Sequence, residues 1–468
     1  MSILENLNKF NNNDALIMEN NEIINYKNLI KFSDKISQKI KTRQLAFLVC
    51  GNNLESISGY ISLLKTNCAI ALLDEKQSFD NLTNLINIYK KNIIFIKKDK
   101  IHIEGYKLLL SFKNFNLLQS KNDFKHDLND KLSLLISTSG STGSSKQVRI
   151  SHENLKENTK SIAKYLSINE DDNCITTLPM SYVYGLSLIN THIYTGGTIV
   201  LNEHSVIDKK FWASLKKNKV TNFGGVPYTY QILDRINFYK NDLRHIKYLT
   251  QAGGKLDEQL NKKIISNLRK KNKNFFVMYG ATEATARMTF LPPKFSSKKI
   301  GSIGIPIPGG KLWLEDKKNK KIKKNNQSGE LVYSGKNVCL GYANNIGDLS
   351  KDDSNNGIFK TGDIAWKDKD NYYFIAGRKD RYIKIHGNRI NLEELEKNIL
   401  KFKIQSMCKA TSDNKITIFI QNSKAEKKLK KVINNFTSLH PSVFIIKILK
   451  KFPLNKNYKV SYNSESLN

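Results

Sequence analysis

Residues Ser137 to Lys146 read Ser-Thr-Ser-Gly-Ser-Thr-Gly-Ser-Ser-Lys, directly after the apolar run Leu132-Ser133-Leu134-Leu135-Ile136. Glycines let the backbone turn N–H groups toward anionic oxygens, hydroxyls add donors, and the terminal lysine adds positive charge. The apolar run predicts a buried strand. Downstream, Ser151 predicts the cap of a helix carrying Leu155, Ile162 and Leu166 near helical spacing. Strand, anion loop and helix are therefore expected in that order, with polyphosphate as the natural ligand. A P-loop NTPase requires glycine before the lysine and Ser or Thr after it; Ser145 and Gln147 stand there instead. The alternative for the loop alone is a flexible Ser/Gly linker, which the motifs further along the chain remove.

The chain has 468 residues, enough for two or more domains around a sizeable main core. No apolar run is long enough to span a bilayer, and Met1 to Lys9 lack the basic head and apolar stretch of a signal peptide, so a cytoplasmic protein without membrane insertion is expected. Cys50, Cys68, Cys174, Cys339 and Cys408 are scattered and never spaced CxxC, which predicts small core residues rather than disulfides or zinc ligands. The formal charge of +34 is compatible with nucleic acid. However, lysines are spread along the whole chain, Lys317 to Asn325 reads as a solvated loop, and aromatics are not interleaved with the basic runs. No nucleic-acid partner is expected, while an anionic substrate such as ATP suits the charge.

From about Leu45 to Met278, short apolar runs alternate with amphipathic segments: Leu45–Val49, Ala69–Leu73, Asn92–Ile96, Thr198–Leu201 and Phe275–Met278. This alternation predicts parallel sheets covered by helices. After Pro306 short strands and turns predict a β-rich subdomain, including Gly329–Gly335. Beyond Gly377-Arg378-Lys379-Asp380, strand-like Ile416–Ile420 and Phe444–Ile448 flank a lysine-rich helix over Ala425–Phe436. The expected class is α/β: a large N-terminal domain over residues 1–379 and a small, mobile α+β C-terminal domain over 380–468.

Six motifs then occur in a fixed order: the Gly/Ser/Thr loop; Tyr279-Gly280-Ala281-Thr282-Glu283; Gly357 to Asp363; Gly377 to Lys384; Gly387-Asn388-Arg389-Ile390; and Pro453 to Val460. Over Leu132 to Val460 the chain resembles the AMP-forming acyl-adenylate synthetases, the superfamily of acyl-CoA synthetases, luciferases and nonribosomal adenylation domains. The resemblance implies ATP and Mg2+ as cofactors and acyl-adenylate formation with loss of pyrophosphate. It places Thr138, Ser139, Gly140, Ser141, Thr142, Gly143 and Lys146 around the leaving phosphates. Thr282 and Glu283 are implied beside ATP, with Glu283 contributing to the magnesium site. It implies that Asp363 accepts from the ribose hydroxyls, that Arg378 contacts the nucleotide, and that Gly253, Gly254, Tyr279 and Gly280 border adenine. A structural turn accounts for Gly253 and Gly254 nearly as well.

Lys459 matches the C-terminal lysine that reaches the reacting carboxylate and α-phosphate, and is the expected main catalytic residue. Asp380 matches the hinge of the small domain, with Lys384 and Gly387 in the segment used for the second half-reaction. Three departures stand out: Tyr458 occupies the usual glycine before the lysine, and Ser145 and Gln147 replace the common proline and glycine around the loop lysine.

The segment Leu178 to Leu186 resembles the pocket wall, and it carries no acidic residue to pair with an α-ammonium group. Burying that cation unpaired is costly. A small-molecule carboxylic acid without a free α-amino group is therefore expected, with Tyr182, Tyr184 and Tyr228 either lining its pocket or packing in the core. His152 and His386 read as structural histidines. The expected activity is an ATP-dependent acid–thiol ligase using CoA. The alternatives are a stand-alone enzyme that loads an acyl carrier protein through its phosphopantetheine thiol, and a nucleotide-binding scaffold without catalysis.

Overall fold

The computed structural model describes residues 3–90, 92–98, 103–122, 124, 126–137, 146–385, 388–410, 415–433, 440–454 and 460–462. They divide into two compact units, one over residues 1–312 and 333–359, the other over 313–332 and 360–468. The sequence boundary expected at 379/380 lies inside the second unit.

Two sheets build the first unit. The eight-stranded sheet runs in the order Gly341–Ala343, Gln147–Ser151, Leu132–Ser137, Ala69–Asp74, Leu45–Cys50, Ile93–Lys97, Phe115–Ser120, Tyr106–Phe112. Its four central strands are parallel. Within Leu45–Cys50, Ala46, Leu48 and Cys50 enter one buried cluster and Leu45, Phe47 and Val49 the other. Both faces are covered, which is why these strands read as continuous apolar runs rather than alternating ones. In the second sheet, Ala15 and Leu16 of strand Asp14–Ile17, Cys174 of Asn173–Ile175 and Ile199 of Thr198–Val200 join the first of those clusters. That cluster also takes residues from helices Leu54–Lys65 and Val183–Thr195, so helices fill the space between the two sheets.

One local expectation is corrected. A strand, Gln147–Ser151, separates the anion loop from its helix and pairs antiparallel with Leu132–Ser137. The loop is thus the tip of a hairpin rather than a strand-to-helix turn. Periodicity concealed the strand because Arg149 sits in its middle, yet Arg149 is only 1% exposed. Its guanidinium donates to the carbonyls of Leu340, Lys351 and Asp352, which compensates the burial. Helix His152–Leu166 follows as expected: Ser151 Oγ accepts from Asn154 N, and the Asn154 side chain accepts from Ser151 N.

The second unit contains the antiparallel pair Ile358–Lys367 and Tyr373–Arg378, the hairpin Tyr382–Ile385 with Asn388–Asn391, and a three-stranded sheet of Ser406–Ala410, Ile416–Ile420 and Phe444–Ile448. Helices Leu392–Leu400 and Lys424–Val432 contribute Leu395, Ile399 and Leu429 to its core. This is the expected α+β arrangement. All five cysteines are free and buried.

Candidate active site

The anion loop's residues Thr138, Ser139, Gly140, Ser141, Thr142 and Gly143 lie outside the described residues, but both of its stems are placed. At its base the Gln147 amide donates to Ser137 Oγ at 3.0 Å, closing the hairpin. Lys146 Nζ lies 3.8 Å from the ring centroid of Tyr342. Tyr342 is brought there by strand Gly341–Ala343, in which it pairs with Val148. Its hydroxyl donates to Glu283 Oε1 at 2.9 Å. Burial first, then the Glu283 charge, push the Tyr342 phenol well above its ordinary range, so it stays protonated as a donor. A lysine, a tyrosine and a carboxylate are thereby gathered on three separate strand ends and turns.

Glu283 belongs to the short helical turn Thr282–Ala284 after strand Asn274–Tyr279. Its backbone carbonyl accepts from Cys339 N at 2.8 Å, fixing the turn from the other side. Gly280 is required here, because a Cβ would collide with the carbonyl oxygen of Ala286. Half-buried Tyr279 packs beside Ala281 against the cluster of Ala284, Met288 and Tyr333. A half-buried carboxylate beside a phosphate-loop lysine fits Mg2+, which is held through one or two carboxylates together with substrate phosphates.

Gly253 and Gly254 follow strand Tyr248–Gln251; Gly253 has φ +88°, and the Gly254 carbonyl accepts from Gln251 Nε2 at 2.8 Å. Tyr182, Tyr184 and Tyr228 share one apolar cluster with Ala252, Met278 and Tyr165. They are not equivalent. Tyr184 is 1% exposed and its hydroxyl lies 2.8 Å from Thr250 Oγ1, which makes it a packing residue, whereas Tyr182 and Tyr228 are half-buried.

In the second unit Asp363 pairs with Arg378 across the antiparallel strands, with Arg378 Nε 3.6 Å from Asp363 Oδ1. Asp363 is 7% exposed, while the Arg378 side chain is half-exposed. Gly362, at φ +70°, allows the turn that lets Asp363 N donate to Thr361 Oγ1 at 3.0 Å. Asp380 falls in the turn Lys379–Arg381, and Lys384 in strand Tyr382–Ile385 opposite Arg389. Gly387 and Lys459 lie outside the described residues. The chain on either side of Lys459's segment is anchored: Leu454 bridges to Val460, and Tyr462 donates to Glu396 Oε2 at 3.1 Å. Glu396 also accepts from Arg381 and from Cys408 N, three donors that compensate a carboxyl whose pKa burial raises.

Sequence reasoning missed Tyr342 and Arg287. The signal for Arg287 was present, a lone charge within Ala284-Thr285-Ala286-Arg287-Met288; that for Tyr342 was only an aromatic after glycine.

A family model, AMP-binding enzyme, matches residues 5–343. The chain belongs to this family. The acyl-adenylate synthetase resemblance is thus borne out at the family level. Among curated proteins the chain is similar to the 2-succinylbenzoate–CoA ligase of Bacillus pumilus (strain SAFR-032), 29% identical over 291 residues, covering 61% of this chain and 56% of that protein. It is also similar to bacitracin synthase 3 of Bacillus licheniformis, 25% identical over 405 residues, covering 83% of this chain and 6% of that one. This chain therefore spans about half the length of the first relative and a small part of the second. The O-succinylbenzoate coenzyme A synthetase of Bacillus subtilis, solved with ATP and magnesium ion, shares the fold of this family member at a TM-score of 0.78 and 19% identity, covering 99% of both chains. Among the described residues no helix is long and apolar enough to cross a membrane.

Proposed function

We propose that the protein is an AMP-forming acid–thiol ligase. A carboxylate oxygen of the substrate attacks the α-phosphorus of ATP, the bond to the β-phosphate oxygen breaks, and pyrophosphate leaves. A thiol sulfur then attacks the acyl carbon, and AMP departs. The observation that carries this reading is the juxtaposition of Lys146, Tyr342 and Glu283, which sets a cation from the phosphate loop and a carboxylate against one phenol.

In this reading Lys146 and the loop hydroxyls of Thr138, Ser139, Ser141 and Thr142 neutralise and orient the leaving phosphates, with Gly140 and Gly143 giving backbone approach. Tyr342 holds Glu283 in place, and Thr282 sits beside it. Bound Mg2+ would supply charge neutralisation on the phosphate oxygens, held by Glu283. Tyr279, Gly280, Gly253 and Gly254 border the base, Asp363 accepts from the ribose, and Arg378 donates to the nucleotide. Lys459 stabilises the charge that develops between carboxylate and α-phosphate. Asp380 is the hinge between residues 1–379 and 380–468, and Lys384 and Gly387 serve thiol transfer after rotation.

CoA is the acceptor we favour, and the protein works in the cytoplasm. The likeness to bacitracin synthase 3 supports a second reading, in which the thiol is the phosphopantetheine arm of a carrier protein. Incubating the protein with a carboxylic-acid panel, ATP, Mg2+ and CoA, and reading products by mass, separates the two. Acyl-CoA is the expected product; adenylate that forms without acyl-CoA, and reaches only a carrier protein, overturns the CoA assignment.

A further inference from the structure

Arg287 is 2% exposed, yet among the described residues no carboxylate lies within ion-pair distance of it. Its five N–H donors meet a sulfur, a neighbouring carbonyl and the hydroxyls of Tyr165 and Tyr184, none of them a charged acceptor. Nε approaches the thioether sulfur of Met278 at 3.4 Å, and Nη1 reaches the carbonyl of Ala286, its own neighbour, also at 3.4 Å. The guanidinium carbon lies 3.9 Å from the ring centroid of Tyr184, whose hydroxyl is held at Thr250. Met278 sulfur also accepts from Tyr165, so it is a shared as well as a weak acceptor. A buried guanidinium needs good acceptors to offset its desolvation, either a carboxylate or a set of carbonyls such as the three that serve Arg149. Among the described residues Arg287 has neither.

The backbone shows that Arg287 is held deliberately. Thr285 and Ala286, neither of them glycine, take φ +58° and +135° immediately before it. Such conformations persist only where the surroundings over-determine them, and they collect at functional sites. Asn158 and Asn337 both donate to the Arg287 carbonyl, at 3.0 and 2.9 Å, and Thr285 Oγ1 donates to the Asn337 carbonyl at 2.7 Å. The strained residues directly follow the turn Thr282–Ala284 that holds Glu283, and the tyrosines beside the guanidinium belong to the cluster containing Tyr182, Tyr228 and Ala252. Arg287 is therefore tied both to the carboxylate assigned to the nucleotide and to the tyrosines offered for the acyl group.

We propose that Arg287 is a specificity residue that binds a second carboxylate on the substrate, so that the acid activated here is a dicarboxylic acid. One carboxylate reacts with ATP, and the other enters the guanidinium fork, which no carboxylate among the described residues fills. This rests on the adenylation reading for its chemistry, but the binding itself is testable alone.

The test pairs straight-chain dicarboxylates, malonate through adipate, with monocarboxylates of equal length. Thermal stabilisation and acid-dependent ATP–pyrophosphate exchange are both read, on wild type, Arg287→Gln and Arg287→Lys. At least one dicarboxylate should stabilise wild type where its monocarboxylate partner does not, with the dissociation constant weakened about tenfold to a hundredfold in Arg287→Gln. Arg287→Lys, which keeps the charge and loses the fork, should recover part of the preference, while stabilisation by ATP and Mg2+ persists in both variants as a check on folding. If Arg287→Gln does not fold, the proposal is decided on Arg287→Lys, whose dicarboxylate preference must shrink. Exchange with monocarboxylates alone, indifferent to Arg287, overturns this proposal and keeps the adenylation reading. Dicarboxylate binding that depends on Arg287 without any exchange keeps this proposal and overturns adenylation.

Discussion

Glu283 is held by one phenol and one backbone amide, and those two contacts divide its role into parts that can be measured separately. Glu283→Gln removes the charge that the proposed function offers to Mg2+ while leaving an amide of the same shape. Exchange at saturating ATP is expected to fall roughly a hundredfold, and the Mg2+ concentration needed for half-maximal rate to rise. Tyr342→Phe removes only the hydroxyl that fixes the carboxylate at 2.9 Å, so a loss of about tenfold is expected with metal dependence shifted in the same direction. Equal rates in wild type and Glu283→Gln would remove the residue from the site. The contrast between these residues also shows what a sequence conveys at this scale. Glu283 could be singled out because it sits inside an ordered motif. Tyr342 could not, since its partner lies 59 positions away and only strand pairing with Val148 delivers it.

The hairpin around the anion loop and the helix behind it are where local signals and tertiary packing part company. Ser151 and Asn154 announce the helix start in sequence, and the structure forms the reciprocal cap. Strand Gln147–Ser151 was hidden because a central arginine argues against burial, and the three carbonyls that accept from Arg149 come from a segment some 200 residues distant. His152, the first residue of the helix, gives this element a pH signature. Burial first, then the nearby Arg43 charge, lower its pKa from 6.5 to about 4. The neutral ring is thus favoured in the fold, while the unfolded chain takes up a proton as pH falls through 6.5. Stability from this group is complete above pH 6.5 and is lost progressively down to about 4. His152→Gln is expected to flatten the fall in denaturation midpoint across that window relative to wild type. Identical slopes for the two proteins would show that His152 titrates alike in both states.

For the whole molecule, the alternation of apolar runs and amphipathic segments made the parallel sheets readable, because strands buried on both faces have no polar alternation to confuse them. The tail was equally legible: strands Ile416–Ile420 and Phe444–Ile448 appear where their β-branched runs predict them. What the sequence left open was compactness. Residues 313–332 group with 360–468 although they precede them in the chain, a consequence of strand pairing over long separations that no local pattern encodes. In the proposed function Lys459 serves the first half-reaction and Lys384 the second, after a turn of the small domain about Asp380. The most direct test is acid-dependent ATP–pyrophosphate exchange, measured beside thioester formation for wild type, Lys459→Ala and Lys384→Ala. Exchange is expected in wild type with at least one carboxylic acid, with a loss of about a hundredfold or more in Lys459→Ala and exchange retained without thioester in Lys384→Ala. ATP binding with no exchange for any acid, or full exchange in Lys459→Ala, would contradict the proposed function.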